Sequence, residues 1–192
     1  MKTLAALLLA VSLNAVAADA TPPAVVRFNT VCANCHEGEC SGRLSFNSGA
    51  SAARGHMQRY LGNIAEAEVE TLFALLRQVK EQCRQAPVDA TPPPDGCWSA
   101  EVLRPWRNVQ QGGYFIPLGT LSAGRHEARI TFVTAGQGRL KITNERFDLV
   151  AEEFLGPEET LALNFVAQHG AHFLTVTGPV EIGELQLLPA KR

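Results

Sequence analysis

Methionine is almost absent from this chain. Of 192 residues only Met1 and Met57 are methionine, so a thioether ligand has at most one internal candidate. An excess of one charge is missing too: 17 Lys and Arg stand against 19 Asp and Glu, for a formal net charge of −2. The basic residues are scattered, and nucleic-acid binding, which needs a concentrated basic stripe, is not expected. No apolar run reaches the ~20 residues of a membrane helix, so membrane insertion is not expected either. There is no G-x-S-x-G run and no P-loop, and an enzyme built on those devices is not indicated.

The amino terminus supplies a different kind of signal. Met1-Lys2 forms a short positive start, Leu4 to Val11 is apolar, and Ala15-Val16-Ala17-Ala18-Asp19-Ala20 offers small-residue cleavage points. Residues 1–20 read as a secretory signal peptide. No Cys stands at the cleavage point, so a lipid anchor is not indicated. The expected location is periplasmic or secreted.

Five cysteines are an odd count. Two fall in Cys32-Ala33-Asn34-Cys35-His36, the C-x-x-C-H spacing of covalent haem attachment. On one helical turn positions i and i+3 share a face, so both thiols can reach one porphyrin edge. The adjoining imidazole of His36 can then turn towards iron. Thiol redox chemistry and zinc are the rival uses of C-x-x-C, but no βαβ context and no second ligand pair accompanies it. One covalent haem c is the expected cofactor, with Cys32 and Cys35 as its attachment points and His36 as a metal ligand.

Helical periodicity surrounds the motif. Pro22 and Pro23 precede a short apolar segment that runs into it, as suits a helix start. From Glu66 to Cys83, residues Val69, Leu72, Phe73, Leu76, Val79 and Cys83 make one apolar stripe. Asn63 is the expected cap, with Glu66 in a capping-box position. A short helix ending in C-x-x-C-H, an irregular middle and a closing amphipathic helix resembles the class I c-type cytochromes over about 60 residues. The resemblance implies one-electron transfer, and first and last helices packed across each other beside the haem. That family usually takes its second axial ligand from a loop Met. Here Met57 lies in a short helical segment, 52–61, directly beside His56. Neighbours on a helix point about 100° apart. Met57 joins Ala53 and Leu61 in an apolar stripe, which leaves His56 as the expected second metal ligand and Met57 as the alternative.

Arg43 is a candidate partner for a haem propionate or a plain loop charge. Of the remaining cysteines, Cys40 with Cys83 would staple the small domain by about 3–4 kcal/mol, and Cys83 with Cys97 is the competing pair.

Residues 87–96 are rich in Pro and read as a semi-rigid linker. It divides a haem domain, 21–86, from a domain at 97–192. The second has short alternating runs such as Ala128, Ile130 and Phe132, separated by Gly-bearing turns, and predicts seven or eight antiparallel strands. The expected fold is α+β and multidomain: a small all-α cytochrome c-like domain followed by a jelly-roll-like antiparallel β-sandwich.

Candidate sites on the sandwich are weaker. His169 and His172 offer two imidazoles without a nearby third ligand. Trp98 and Trp106 offer an aromatic platform or ordinary packing. Asp148, Glu152, Glu153, Glu158 and Glu159 form an acidic stretch that could steer a basic partner or merely face solvent. The sequence thus leads to an exported monohaem electron carrier and not an enzyme, its partners a redox protein and, for the β-domain, a protein or carbohydrate. The alternatives are a haem subunit of a periplasmic oxidoreductase and a gas- or redox-sensing haem protein with a detachable distal ligand.

Overall fold

A computed structural model describes residues 22–36, 49–88 and 90–189. The expected leader, Cys40 and Arg43 lie outside the described residues. Among the described residues, eight strands form two antiparallel four-stranded sheets. They are β1 (Cys97–Ser99), β2 (Tyr114–Leu121), β3 (Gly124–Thr134), β4 (Gly138–Asn144), β5 (Leu149–Leu155), β6 (Thr160–Ala167), β7 (Gly170–Thr177) and β8 (Glu181–Pro189). One sheet runs β1-β8-β3-β6 and the other β2-β7-β4-β5. The β-sandwich expected from alternation is what the chain forms.

Side-chain alternation explains the inner layer. On β3 the buried residues are His126, Ala128, Ile130 and Phe132, with Arg129 and Thr131 turned out. On the facing sheet Tyr114, Ile116, Leu140, Ile142, Leu174 and Val176 are fully shielded. Tyr114 spans the layers: its hydroxyl accepts the backbone N–H of Ile182 at 3.1 Å. Burial raises the pKa of this phenol, which therefore stays protonated.

The second sheet is buried on its other face as well. Tyr114-Phe115-Ile116-Pro117-Leu118 is an unbroken buried run, the pattern of a strand covered on both sides. The cover is helical. Helix α1 (Pro22–Arg27) passes through a π-turn at Phe28–Cys32 into α2 (Ala33–His36). Helix α3 (Arg54–Leu61), led in by a 3-10 turn at Ala50–Ala53, and α4 (Glu66–Gln82) complete this layer. The α1 segment and π-turn touch β2 and β7. Phe115 stacks on Phe173 with centroids 5.3 Å apart, on the sheet face turned to these helices.

Polar bridges tie the layers. The Asn108 amide donates to the Thr30 hydroxyl at 2.9 Å, and the Gln85 amide donates to Asn29. The Gln85 N–H donates to the Glu145 carbonyl at 2.7 Å, and Arg84 pairs with the Glu145 carboxylate. Buried apolar residues form one cluster from Val25 through Leu72 to Leu185. The expected all-α cytochrome-like domain is corrected on this point. The helical segments are mostly short, and they share their core with the sandwich instead of closing one of their own.

Two local expectations also differ. Ala65, not Asn63, stands at the amino-terminal cap of α4, without a side-chain cap bond. Cys83 ends that helix in the left-handed conformation with φ of 53°. It is disulfide-bonded, whereas Cys97 is free, so the pair Cys83–Cys97 is not formed.

Candidate functional site

The helical layer encloses an apolar cavity of about 330 Å³. Five elements build it, the 3-10 turn contributing Ala52 and Ala53. The π-turn and α2 contribute Phe28, Val31, Cys32, Cys35 and His36. Helix α3 contributes His56, Met57, Tyr60 and Leu61, and α4 contributes Leu72, Phe73 and Leu76. The stripe read from the sequence is what faces this space: Val69, Leu72, Phe73, Leu76 and Val79 are all buried. Leu75 is buried too, so the apolar face of α4 is wider than that stripe.

The structure brings the four expected site residues to one cavity. Cys32 and Cys35 sit one turn apart on the same side. The His36 and His56 rings approach to 6.0 Å between centroids, at 66° to one another. Tyr60 lies one turn beyond His56, with ring centroids 5.1 Å apart. Met57 is buried and His56 exposed, as their separate faces required, yet both line the cavity. The wall wraps far enough around α3 for neighbouring residues to reach it.

The thiols differ in setting. Desolvation, the largest influence, pushes the Cys32 pKa up to about 11 against the opposing pull of Arg27. At pH 8 about one Cys32 in a thousand is then thiolate, the reactive form. Cys35 is exposed. In the reduced polypeptide, iodoacetamide at pH 8 should label Cys35 at least about tenfold faster than Cys32. The lag should shrink as pH approaches 11. Peptide mass mapping reads both sites; equal rates at pH 8 would contradict the burial of Cys32.

Elsewhere, of the two readings of Trp98 and Trp106 the structure shows ordinary packing: they are 2% and 9% exposed and belong to the core. Of the acidic stretch, Glu152 pairs with Arg139 on the outer surface. His169 and His172 line a polar cavity of about 190 Å³ with Asn144, Glu145 and Asp148. Sequence reasoning missed this cavity because its walls come from two separate turns. Among the described residues no group of three or more His, Cys, Asp or Glu gathers that could hold a metal ion. None of their helices is long and apolar enough to cross a membrane.

No protein-family model matches the chain, and no curated protein matches it. Solved structures do. It is similar to the C-terminal family 6 carbohydrate-binding module of LamC from Zobellia galactanivorans, with TM-score 0.33 and 15% identity, over 41% of this chain and 73% of that one. It is also similar to a family 6 module of Cellvibrio mixtus lichenase 5A, solved with cellotriose, with TM-score 0.34 and 9% identity, over 42% and 72%. A third likeness is to the family GH115 glucuronidase BtGH115A, with TM-score 0.36 and 10% identity; it spans 74% of this chain but only 24% of the enzyme. These are partial overlaps at low identity.

These findings run against the resemblance drawn from the sequence. Two of these three structures are carbohydrate-binding modules and the third is a glucuronidase; none is a cytochrome. Among the described residues, His36 and His56 belong to no group of three or more His, Cys, Asp or Glu that could hold a metal ion. The assignment to class I cytochromes is therefore withdrawn. With it go one-electron transfer, the covalent haem c, the redox partner, and the alternatives of an oxidoreductase subunit or a haem sensor, all of which were reached through it. The run Cys32-Ala33-Asn34-Cys35-His36 still stands in the sequence, and the cavity it helps to line still needs a function.

Proposed function

We propose that this is a binding protein whose principal site is the cavity of the helical layer. The observation that carries this reading is the pair of imidazoles, His36 and His56, facing each other in a space otherwise walled mainly by apolar side chains. Concave, mostly apolar sites with a few convergent polar groups are where small molecules bind. The ligand is largely apolar, to suit Phe28, Leu72, Phe73 and Leu76. It packs beside the two rings, which meet edge-on with centroids 6.0 Å apart. Cys32 and Cys35 line the wall it packs against, and His36 and His56 supply the polar contacts.

The test is direct. The exported chain, purified without denaturant, is measured for intact mass, metal content and absorbance. We expect a non-protein component held in close to equimolar amount. A chain with bare polypeptide mass, no metal and no saturable binding of the apolar dye anilinonaphthalene sulfonate would overturn the reading.

The sandwich supports a second reading, carbohydrate binding, which narrows the expected partner of the β-domain. The polar cavity beside His172 favours it, since its walls carry hydrogen-bonding groups where the helical cavity carries hydrocarbon. Saturable binding of a neutral oligosaccharide to the whole chain tests it.

A further inference from the structure

We propose that Cys32 and Cys35 form a thiol–disulfide exchange site, at which a disulfide presented from solvent oxidises the two thiols reversibly to an intramolecular bridge. This does not depend on what the helical cavity binds. Both cysteines are free, and Cys97 on β1 is the other free thiol among the described residues. Both line one cavity, and Cys35 is near enough for its charge to be felt at Cys32. The chemistry needs no particular fold: it needs two sulfurs in reach of each other and one in reach of solvent. Residues three apart on a helix have Cα atoms about 5 Å apart, from the helix radius and rise. That falls within the roughly 4.4–6.8 Å of bridged cysteines. Their Cβ atoms stand about 5–6 Å apart on an α-helix, wider than the roughly 4 Å of a disulfide. A 3-10 turn, in which positions i and i+3 eclipse, closes that difference.

The local backbone suits this adjustment. The turn Phe28–Cys32 is π-helical, and α2, Ala33–His36, is only four residues long. π-Turns are rare and frequent functional sites. Cys32 stands where the two windings meet, so a bridge to Cys35 tightens one short turn and not a long helix. The settings of the two thiols give the order of events, since Cys35 is exposed and Cys32 partly buried. The Cys35 thiolate attacks one sulfur of the incoming disulfide, whose S–S bond breaks, and the first donor thiolate leaves. The Cys32 thiolate then attacks the Cys35 sulfur of the mixed disulfide, and the second donor thiolate leaves. The two protein thiols lose two electrons and two protons, and the donor disulfide gains them and ends as two thiols. An excess of thiol runs the sequence backwards.

The experiment uses the whole chain, with glutathione disulfide and glutathione as the redox pair. After acid quenching, free thiols are capped with N-ethylmaleimide, and peptide mass mapping locates every bridge and cap. We expect Cys32 and Cys35 to lose their caps together as the disulfide fraction rises, to be bridged to each other, and to regain both caps when glutathione is added. In Cys32→Ser the resolving thiol is gone, so glutathione should accumulate on Cys35 at least about tenfold above the wild type. Cys97 is the unpaired comparison: it has no neighbouring thiol to resolve a mixed disulfide, and its adduct should be the same in both proteins. Independent loss of the two caps overturns the proposal, as does glutathione held on wild-type Cys35 to the same extent as in Cys32→Ser. A bridge from either residue to another cysteine, or an intact mass that places a covalent group on both sulfurs of the purified chain, overturns it too.

Discussion

His56→Ala should empty the helical cavity of most of its ligand while leaving the fold in place. The side chain is exposed on α3, so its removal opens no core void. Met57, Leu61 and the buried face of α4 are untouched. What is lost is one of two polar contacts, at the narrow point where the rings stand 6.0 Å apart. A hydrogen bond to a charged group contributes about 1.5–3 kcal/mol, which is roughly 10- to 100-fold in affinity. The measurement is the fraction of ligand retained after dialysis of the exported chain, with far-ultraviolet circular dichroism as the control for folding. Met57→Leu is the comparison, since it keeps the volume of a buried side chain and removes only sulfur. If Met57→Leu releases the ligand and His56→Ala does not, the polar contact belongs to Met57 and the site is misassigned.

Much of this site was legible because it is local. The i, i+3 spacing of Cys32 and Cys35, the separate faces of His56 and Met57, and the stripe on α4 depend only on helical period. What the period could not show is where the helices pack. Phe115 alternates with Tyr114 and Ile116, and alternation alone turns it to solvent. It is buried because α1 and the π-turn lie on that face. A continuous apolar run such as Tyr114 to Leu118 hints at such a cover, but not at its source. The turn at Gly136 carries no local sign of its destination: β3 and β4 belong to different sheets, so it crosses the sandwich. His172 shows the limit most plainly. A turn histidine is normally exposed, and only the pairing of β7 with both β2 and β4 puts this one inside. The family resemblance failed for a related reason. It was drawn from one motif and the order of two helices, and neither carries information about what the rest of the chain packs against them.

The shared core makes Phe115 the residue on which both layers depend. Its ring is 1% exposed and stacks on Phe173. It also meets the cavity-bearing segment near Asn29 and Ala33. Phe115→Ala should cost about 3–5 kcal/mol, the transfer of a large aromatic plus the void it leaves. That is a large fraction of the roughly 5–15 kcal/mol that holds a domain together. Because the helices rest on this sheet face, the loss should be felt by both. In urea, Trp98 and Trp106 fluorescence reports the sandwich, and 222 nm ellipticity reports the helices. We expect the wild-type transitions to coincide and both to move to lower urea together in Phe115→Ala. The dye-binding capacity of the helical cavity should fall in the same range. A variant in which only the tryptophan transition moves would mean that the helices fold on a core of their own. The continuous cluster from Val25 to Leu185 would then be a contact surface between two bodies, and not one hydrophobic core.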